Sequence, residues 1–284
     1  DIVKMKVIEW SDDDLGIYFQ ETDIPEDYAE EAHRHREKMI ELLADNDDDI
    51  MVSYLSEEEI DIQSIQRVIR KATISLVLVP IYCGAALRNK GIQPLLDAIV
   101  QFLPSPVDIP PIKGVHPDSG EIIECKPNDN DPLAALIFKV AMFEGRKLSY
   151  VRIYTGKMHT TENTYNPSRK PNEKLSRILR THANTRERID SAGAGSIVGV
   201  VGLKESSTGE TLCSINHPVL LEKIEFYEPV ISVAIEPKTH AAQEKMDQVH
   251  EKLMAEDPPL TLKRDADTGQ SILAGMGPLH LALL

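Results

Sequence analysis

The sequence predicts a multidomain protein that is α/β at its start, β in its middle and α/β again at its end. Three observations carry this. The hydrophobic period changes twice along the 284 residues. Helical stripes fill residues 1–103, short alternating runs with glycine turns fill 112–227, and a strand, a helix and a hairpin follow in 228–284. Four prolines, Pro104, Pro106, Pro110 and Pro111, stand close together and read as a stiff connector over 104–111. The charge is also unevenly distributed. Residues 1–110 hold 23 acids and 10 bases, residues 111–284 hold 23 and 21, and residues 139–190 hold 5 and 12. Such asymmetry points to at least two units with different partners.

In the first region, Val3–Trp10 alternates like a strand and Gly16–Phe19 reads as another. Pro25 suits the first turn of a helix, with Glu26 and Asp27 near its positive end. Tyr28, Ala32, Met39 and Leu43 then mark an apolar stripe. The run Asp45-Asn46-Asp47-Asp48-Asp49 breaks that helix and can cap the next. A further helix spans about Asp61–Lys71. The apolar run Leu76-Val77-Leu78-Val79-Pro80 predicts a buried strand, followed by a small-residue loop from Cys83 and a helix running to Leu103. A strand feeding such a loop and helix is a place where backbone approaches a ligand.

The middle region shows β-rich runs at Leu136–Phe143, Leu148–Tyr154, Ile197–Val201 and Thr211–Ile215. Turn signals separate them at Glu144-Gly145, Thr155-Gly156, Gly193-Ala194-Gly195 and Thr208-Gly209, which argues for a small barrel. In the last region Pro229–Ile235 alternates as a strand and a helix follows over about Ala241–Ala255, with Met246, Val249, Leu253 and Met254 on its apolar side. Leu260–Lys263 and Ser271–Ala274 form a hairpin around Asp267-Thr268-Gly269. A second helix begins after Gly275-Met276-Gly277. This βαββα order supplies five of the six elements of a split βαβ fold.

Several classes are excluded. No apolar run reaches the roughly 18 residues of a membrane helix, and the N-terminus has no signal-peptide pattern. Cys83, Cys125 and Cys213 are far apart without CxxC spacing, which fits a reducing cytoplasm better than a disulfide framework or a zinc site. His33 and His35 point to different faces of their helix. No GxxxxGK[ST] string occurs, so the phosphate cradle of nucleotide hydrolysis is missing. Asn89-Lys90-Gly91-Ile92 imitates N-K-x-D without its carboxylate, and Asp13–Gly16 and Asp190–Gly193 fit D-x-x-G, a pattern too short to carry weight. The start without Met and the stop inside a helix lead to the expectation of a piece of a larger protein.

In the basic stretch, Arg152, Lys170, Lys174, Arg177, Arg180, Arg186 and Arg188 are dense enough to suit phosphate contacts. Tyr154 and Tyr165 read as packed β tyrosines rather than base-stacking ones.

Seven segments, in one order, resemble the elongation factor G family of translational GTPases. They are the loop from Cys83 to Asp97, Val151–Gly156, His182–Glu187, Val201–Lys204, Thr208–Leu212, Glu228–Lys238 and Gly275–Leu281. The resemblance implies a G-domain insert and the C-terminal end of the G domain over 1–103, a linker over 104–111, a domain II translation-factor β-barrel over 112–227, and the N-terminal part of a ferredoxin-like (βαββαβ) domain III over 228–284. It implies GTP-dependent translocation of tRNA and mRNA, with GTP and Mg in the full-length protein and none in this chain. Gly84, Ala85, Ala86 and Leu87 would then be a remnant guanine loop, and the basic residues above contacts to ribosomal RNA. Gly275, Met276, Gly277 and His280 would face the G domain. The implied partners are the ribosome and the rest of the same chain, in a cytoplasmic monomer, with no catalytic residue and no metal ligand here. Ala85 stands where the family usually has Ser, Pro278 where it has Glu and Ala282 where it has an acid, and the turn at Met142–Arg146 is short. These departures keep two alternatives open: a recycling or ribosome-protection paralogue, and a stand-alone RNA-binding module without GTPase activity.

Overall fold

The computed structural model describes residues 1–11, 15–143, 145–170, 172–237, 239–265 and 269–283; for residues 240–244, 247–248 and 251 it describes the backbone alone. The turn at Asp267-Thr268, the acids Asp13 and Asp14, and Glu144 and Lys238 lie outside the described residues. The chain divides into two compact units, Asp1–Ile109 and Pro110–Leu284.

In the first unit a hairpin of β1 (Val7–Trp10) and β2 (Phe19–Thr22) precedes four helices, α1 (Glu26–Ala44), α2 (Asp48–Leu55), α3 (Ile62–Ile74) and α4 (Ile92–Phe102). Ile40 and Leu43 of α1, Ile50 of α2, Ile65, Val68 and Ile69 of α3, and Ala98 and Phe102 of α4 form one core. Each large apolar side chain among them contributes about 1.5–3 kcal/mol when fully buried. Asp61 caps α3, its carboxylate accepting the Ser64 N–H at 3.0 Å. Asp47 stands at the N-cap of α2 but makes no cap bond with its side chain. Its carboxylate, only 6% exposed, instead pairs with Lys71 at 3.1 Å and Arg67 at 3.4 Å, tying α2 to α3.

Three expectations are corrected here. Residues 76–80 form no strand. A ladder needs a neighbour, and none lies beside this run among the described residues; Leu76 is 91% and Val79 81% exposed, and only Leu78 packs on the core. Residues 16–18 are not strand either, because Gly16 turns with φ +73° and a Cβ there would meet the Arg88 carbonyl oxygen at 2.5 Å. Tyr28 is exposed, so the buried stripe of α1 runs through Ile40 and Leu43 at its C-terminal end.

The second unit opens with β3 (Ile112–Val115), β4 (Ile122–Cys125), β5 (Ala134–Phe143) and β6 (Arg146–Thr155). Short strands follow: β7 (Met158–His159), β8 (Asn163–Tyr165) and β9 (Asn172–Lys174). Then come β10 (Arg177–His182), β11 (Thr185–Ile189), β12 (Ser191–Ala192), β13 (Ile197–Val201), β14 (Thr211–Cys213) and β15 (Leu220–Leu221). The main sheet has the order β11-β10-β13-β6-β5-β14-β8-β9, flanked by a β15-β3-β4 sheet and a β12-β7 pair. Ile137, Val151, Ile153, Met158, Leu175, Ile178 and Val200 fill its interior and are fully shielded. Tyr154 and Tyr165 pack against a second, smaller core under the three-stranded sheet.

After the barrel come β16 (Ile231–Ile235), α5 (His240–Glu256), β17 (Thr261–Arg264), β18 (Ser271–Gly275) and α6 (Pro278–Ala282). The sheet order β16-β18-β17, antiparallel throughout, is the first-third-second arrangement of a βαββαβ domain. Pro278 opens α6, a position where its missing N–H costs nothing. Ala255 of α5 packs against the barrel core, and the Glu256 carboxylate accepts the Met142 N–H on the outer side of β5.

Candidate nucleic-acid interface

The basic residues fall on two faces of the main sheet, and the register decides which. In the β10–β11 hairpin Leu179 opposes Arg188, Arg180 opposes Glu187 and Thr181 opposes Arg186. Directly opposed residues share a face, and alternation puts Arg177, Arg186 and Arg188 on the side away from core residue Ile178. Arg177 pairs with Val201, and Gly199 of the same strand lies between Leu179 and Tyr150. Tyr150 and Arg152 of β6 therefore continue that outer face.

Arg177 and Arg188 are exposed. Arg152 is half-buried, its guanidinium carbon 6.0 Å from the centre of the Tyr154 ring. Arg186 is also half-buried, and its guanidinium carbon lies 3.8 Å from the centre of the Phe143 ring, a cation–π contact. Arg180 is set apart, on the face of Ile178, 3.6 Å from Glu187. Lys170 and Lys174 stand on the approach to β10, both exposed, and the Ser176 N–H donates to the Val201 carbonyl at 2.9 Å where that approach joins β13.

Two further bases are absorbed by a buried polar network that composition alone does not reveal. Glu173, nine-tenths buried, accepts the N–H groups of Glu205 at 3.0 Å and Ser206 at 2.8 Å, together with the Ser206 hydroxyl. Asn166 donates to the Ser206 hydroxyl at 2.8 Å and to Glu210 at 2.7 Å, and Arg169 donates to Glu210 at 2.7 Å. Lys147 donates to the carbonyls of Lys204 and Ser206. Burial lowers the Lys147 ammonium pKa below its ordinary value, with the Glu173 carboxylate opposing that shift. The loop 204–210 is thus clamped from beneath. In the sequence its signal is no more than isolated acids among bases.

The loop from Cys83 is closed on itself. Ala85 donates to Lys90 at 2.8 Å and Lys90 donates back to Ala85 at 3.2 Å, around a 3-10 turn at Ala86–Arg88. Gly91 takes φ +81°, and a Cβ there would meet the Cys83 carbonyl oxygen at 2.7 Å and Gly84 Cα at 2.9 Å. Gln93 at the start of α4 ties this loop to the hairpin, accepting from Trp10 at 3.1 Å and donating to Gly16 at 2.8 Å. Leu87 is fully exposed. Ala86 and Leu87 retain N–H groups without an acceptor among the described residues. Those donors suit the edge of a base; the sequence has no GxxxxGK[ST] string and no N-K-x-D carboxylate beside them.

Near the C-terminus His280 is a bridge. Its Nδ1 accepts the Met276 N–H at 3.0 Å, which puts the proton on Nε2, 2.5 Å from Asp257. Gly275 leaves room for it, since a Cβ there would meet His280 Nδ1 at 3.0 Å and Leu281 at 2.7 Å. Met276 is 39% exposed, and Gly277 has open space around it.

With this geometry in view, the comparisons decide the family. A model of elongation factor G domain III matches residues 226–284, and a model of elongation factor G domain 2 matches residues 132–215. Elongation factor G 2 of Syntrophus aciditrophicus (strain SB) is 51% identical over 284 residues, all of this chain and 42% of the relative. The chain belongs to the elongation factor G family. Elongation factor G of Thermotoga sp. (strain RQ2) is 48% identical over 286 residues, all of this chain and 41% of the relative. That of Rhodopseudomonas palustris (strain BisB18) is 48% identical over 283 residues, 99% of this chain and 41% of the relative. The chain therefore spans about two fifths of the length of the curated family members it matches. A crystal structure from Thermus thermophilus, 24% identical, superimposes with a TM-score of 0.76 over all of this chain and 40% of that one, a likeness of fold. No described helix is long and apolar enough to cross a membrane.

Proposed function

We propose that this chain is the part of a ribosome-binding translational GTPase, of the translocating elongation factor G type, that joins the end of its G domain to domains II and III. Residues 1–103 are then the insert and end of the G domain, 104–111 the linker, 112–227 domain II and 228–284 the start of domain III. The identity of 51% along the whole chain to a relative named elongation factor G 2 carries this reading. The outer face of the barrel supports a role in contacting ribosomal RNA: Arg177 and Arg188 are exposed there without a carboxylate partner among the described residues. GTP and Mg belong to residues of the full-length protein outside this chain, and the cytoplasm is where it acts. The stand-alone RNA-binding module gains no support from relatives that match this chain end to end within longer proteins.

Co-sedimentation with ribosomes tests the reading. Binding should weaken steeply as salt rises, because each phosphate neutralised releases a counterion. Charge reversal at Arg177 and Arg188 together should weaken binding more than reversal at Arg180, whose charge already faces Glu187. Equal effects, or binding indifferent to salt, would refute the assignment of this face. In parallel, calorimetric titration of the chain with GTP and magnesium should stay flat into the millimolar range; micromolar binding would place the nucleotide site here instead.

A further inference from the structure

Two polar atoms on the outer face lack partners in a way the proposed RNA contact does not by itself explain. Thr181 Oγ1 and Arg186 Nε are both shut away from solvent with no hydrogen-bond partner among the described residues. They belong to directly opposed residues of β10 and β11, so they lie on one face, side by side. A buried donor without an acceptor costs free energy, and here two donors stand together. Arg186 also makes no ion pair among the described residues, whereas Arg180 and Arg169 each have a glutamate. What holds its guanidinium is the ring of Phe143. Since Nε is buried while the residue is half-exposed, the remaining exposure lies on other atoms of the side chain.

Resting on the RNA-contact reading, we propose that Arg186 and Thr181 form the anchoring phosphate subsite of the barrel, with Phe143 as the platform that fixes the guanidinium. The ligand is one phosphodiester group of RNA, whose oxygens accept from the guanidinium and from the threonine hydroxyl. A planar guanidinium held flat presents its donors in a fixed fork, which suits phosphate geometry better than a free side chain does. Phe143 ends β5 beside the turn at Gly145 and is 37% exposed, so the platform itself lies at the surface, and phosphate binding at the two shielded donors requires a local rearrangement of this face. Arg177 and Arg188, on the same face and unpinned, take neighbouring phosphates as mobile charges.

The test uses the full chain and fluorescently labelled ribosomal RNA, read by anisotropy across a salt series. R186K keeps the charge but loses the fork, and T181V keeps the shape but loses the hydroxyl. Each should weaken binding by about tenfold, the worth of one charge-assisted hydrogen bond, while T181S restores it. R186Q should flatten the log–log salt slope by about 0.7, one single-strand phosphate contact. F143L should weaken binding several-fold, and F143L/R186Q should be no weaker than R186Q alone, which a merely structural Phe143 would not produce. Independently of folding in the variants, the Arg186 Nε–H resonance of the unaltered chain should shift with micromolar RNA and move with inorganic phosphate only at tens of millimolar. A shift at submillimolar inorganic phosphate would overturn the RNA assignment in favour of a free-anion site. An unmoved resonance, with R186K and T181V binding like the unaltered chain, would overturn the subsite itself. Absence of any salt-dependent RNA binding by the unaltered chain would instead remove the reading on which the proposal rests.

Discussion

Replacing Glu173 by glutamine should destabilise the barrel and leave the first unit untouched. The carboxylate receives three donors, the N–H groups of Glu205 and Ser206 and the Ser206 hydroxyl, in a site only 5% exposed. Glutamine has the same shape but presents an NH2 where one oxygen stood, so one of those backbone N–H groups faces a donor and loses its acceptor, at about 1–3 kcal/mol. The bonds that survive lose their charge assistance, and half-buried Lys147 loses the carboxylate that offsets its burial. Together these come to about 3 kcal/mol. With a urea dependence of about 2–3 kcal/mol per molar, the midpoint of barrel unfolding should fall by about 1 M. The molecule supplies its own control. Its single tryptophan, Trp10, sits in the first unit, hydrogen-bonded to Gln93. Tryptophan fluorescence therefore follows that unit, while far-UV circular dichroism follows both. Glu173→Gln should shift the dichroism transition of the barrel and not the fluorescence transition. A shift below about 0.3 M, or equal shifts in both signals, would refute the argument that this buried carboxylate clamps the 204–210 loop.

Other outcomes are expected. Gly91→Ala forces a left-handed residue to carry a Cβ 2.7 Å from the Cys83 carbonyl oxygen, and should cost the first unit about 2–4 kcal/mol, read as an earlier Trp10 transition. Burial opposes ionisation of Asp47, yet the bonds from Lys71 and Arg67 outweigh it and hold the carboxyl below its ordinary 3.8. A folded value below the unfolded one gives stability that is present above the unfolded pKa and is lost as pH falls through the folded pKa, so Asp47→Asn should flatten the acid side of the Trp10-monitored stability curve. Amide exchange should be faster over residues 257–284 than in the barrel, since Leu279 and Leu283 are 72% and 79% exposed; equal protection in a monomeric sample would show that the C-terminal sheet needs no further cover.

The long elements are legible in the sequence because their periods are strong. The ten-residue strands β5 and β6 and the strand Ile197–Val201 carry apolar residues at the expected spacing, and the helices α1, α4 and α5 stand where helical runs are expected, although Tyr28 of α1 and Val249 of α5, both expected on apolar sides, are exposed. The β10–β11 hairpin is hidden, because Arg177, Arg180, Arg186 and Arg188 mask the alternation that Ile178 and Ile189 maintain. For the same reason the basic density of residues 139–190 is visible while the division of its arginines is not. Which arginine is free depends on partners elsewhere on the barrel: Glu210 for Arg169, Phe143 for Arg186, and cross-strand Glu187 for Arg180. Residues 76–80 show the converse. An apolar run signals a strand that wants neighbours on both sides, but only structure tells whether a neighbour is present.

The carboxylate of Glu256 has a consequence beyond joining two regions. β14 and the residues just before it cover the outer side of β5 as far as Ile137, so among the described residues the stretch toward Phe143 would offer bare N–H and C=O groups to any passing chain. Glu256 occupies one of those donors at Met142, and α5 packs against the strand. The protein thereby plugs its own adhesive rim, which protects it against templated strand addition from other copies. A barrel expressed without α5 would regain that stickiness, and solubility, rather than fold, would be the first property to suffer.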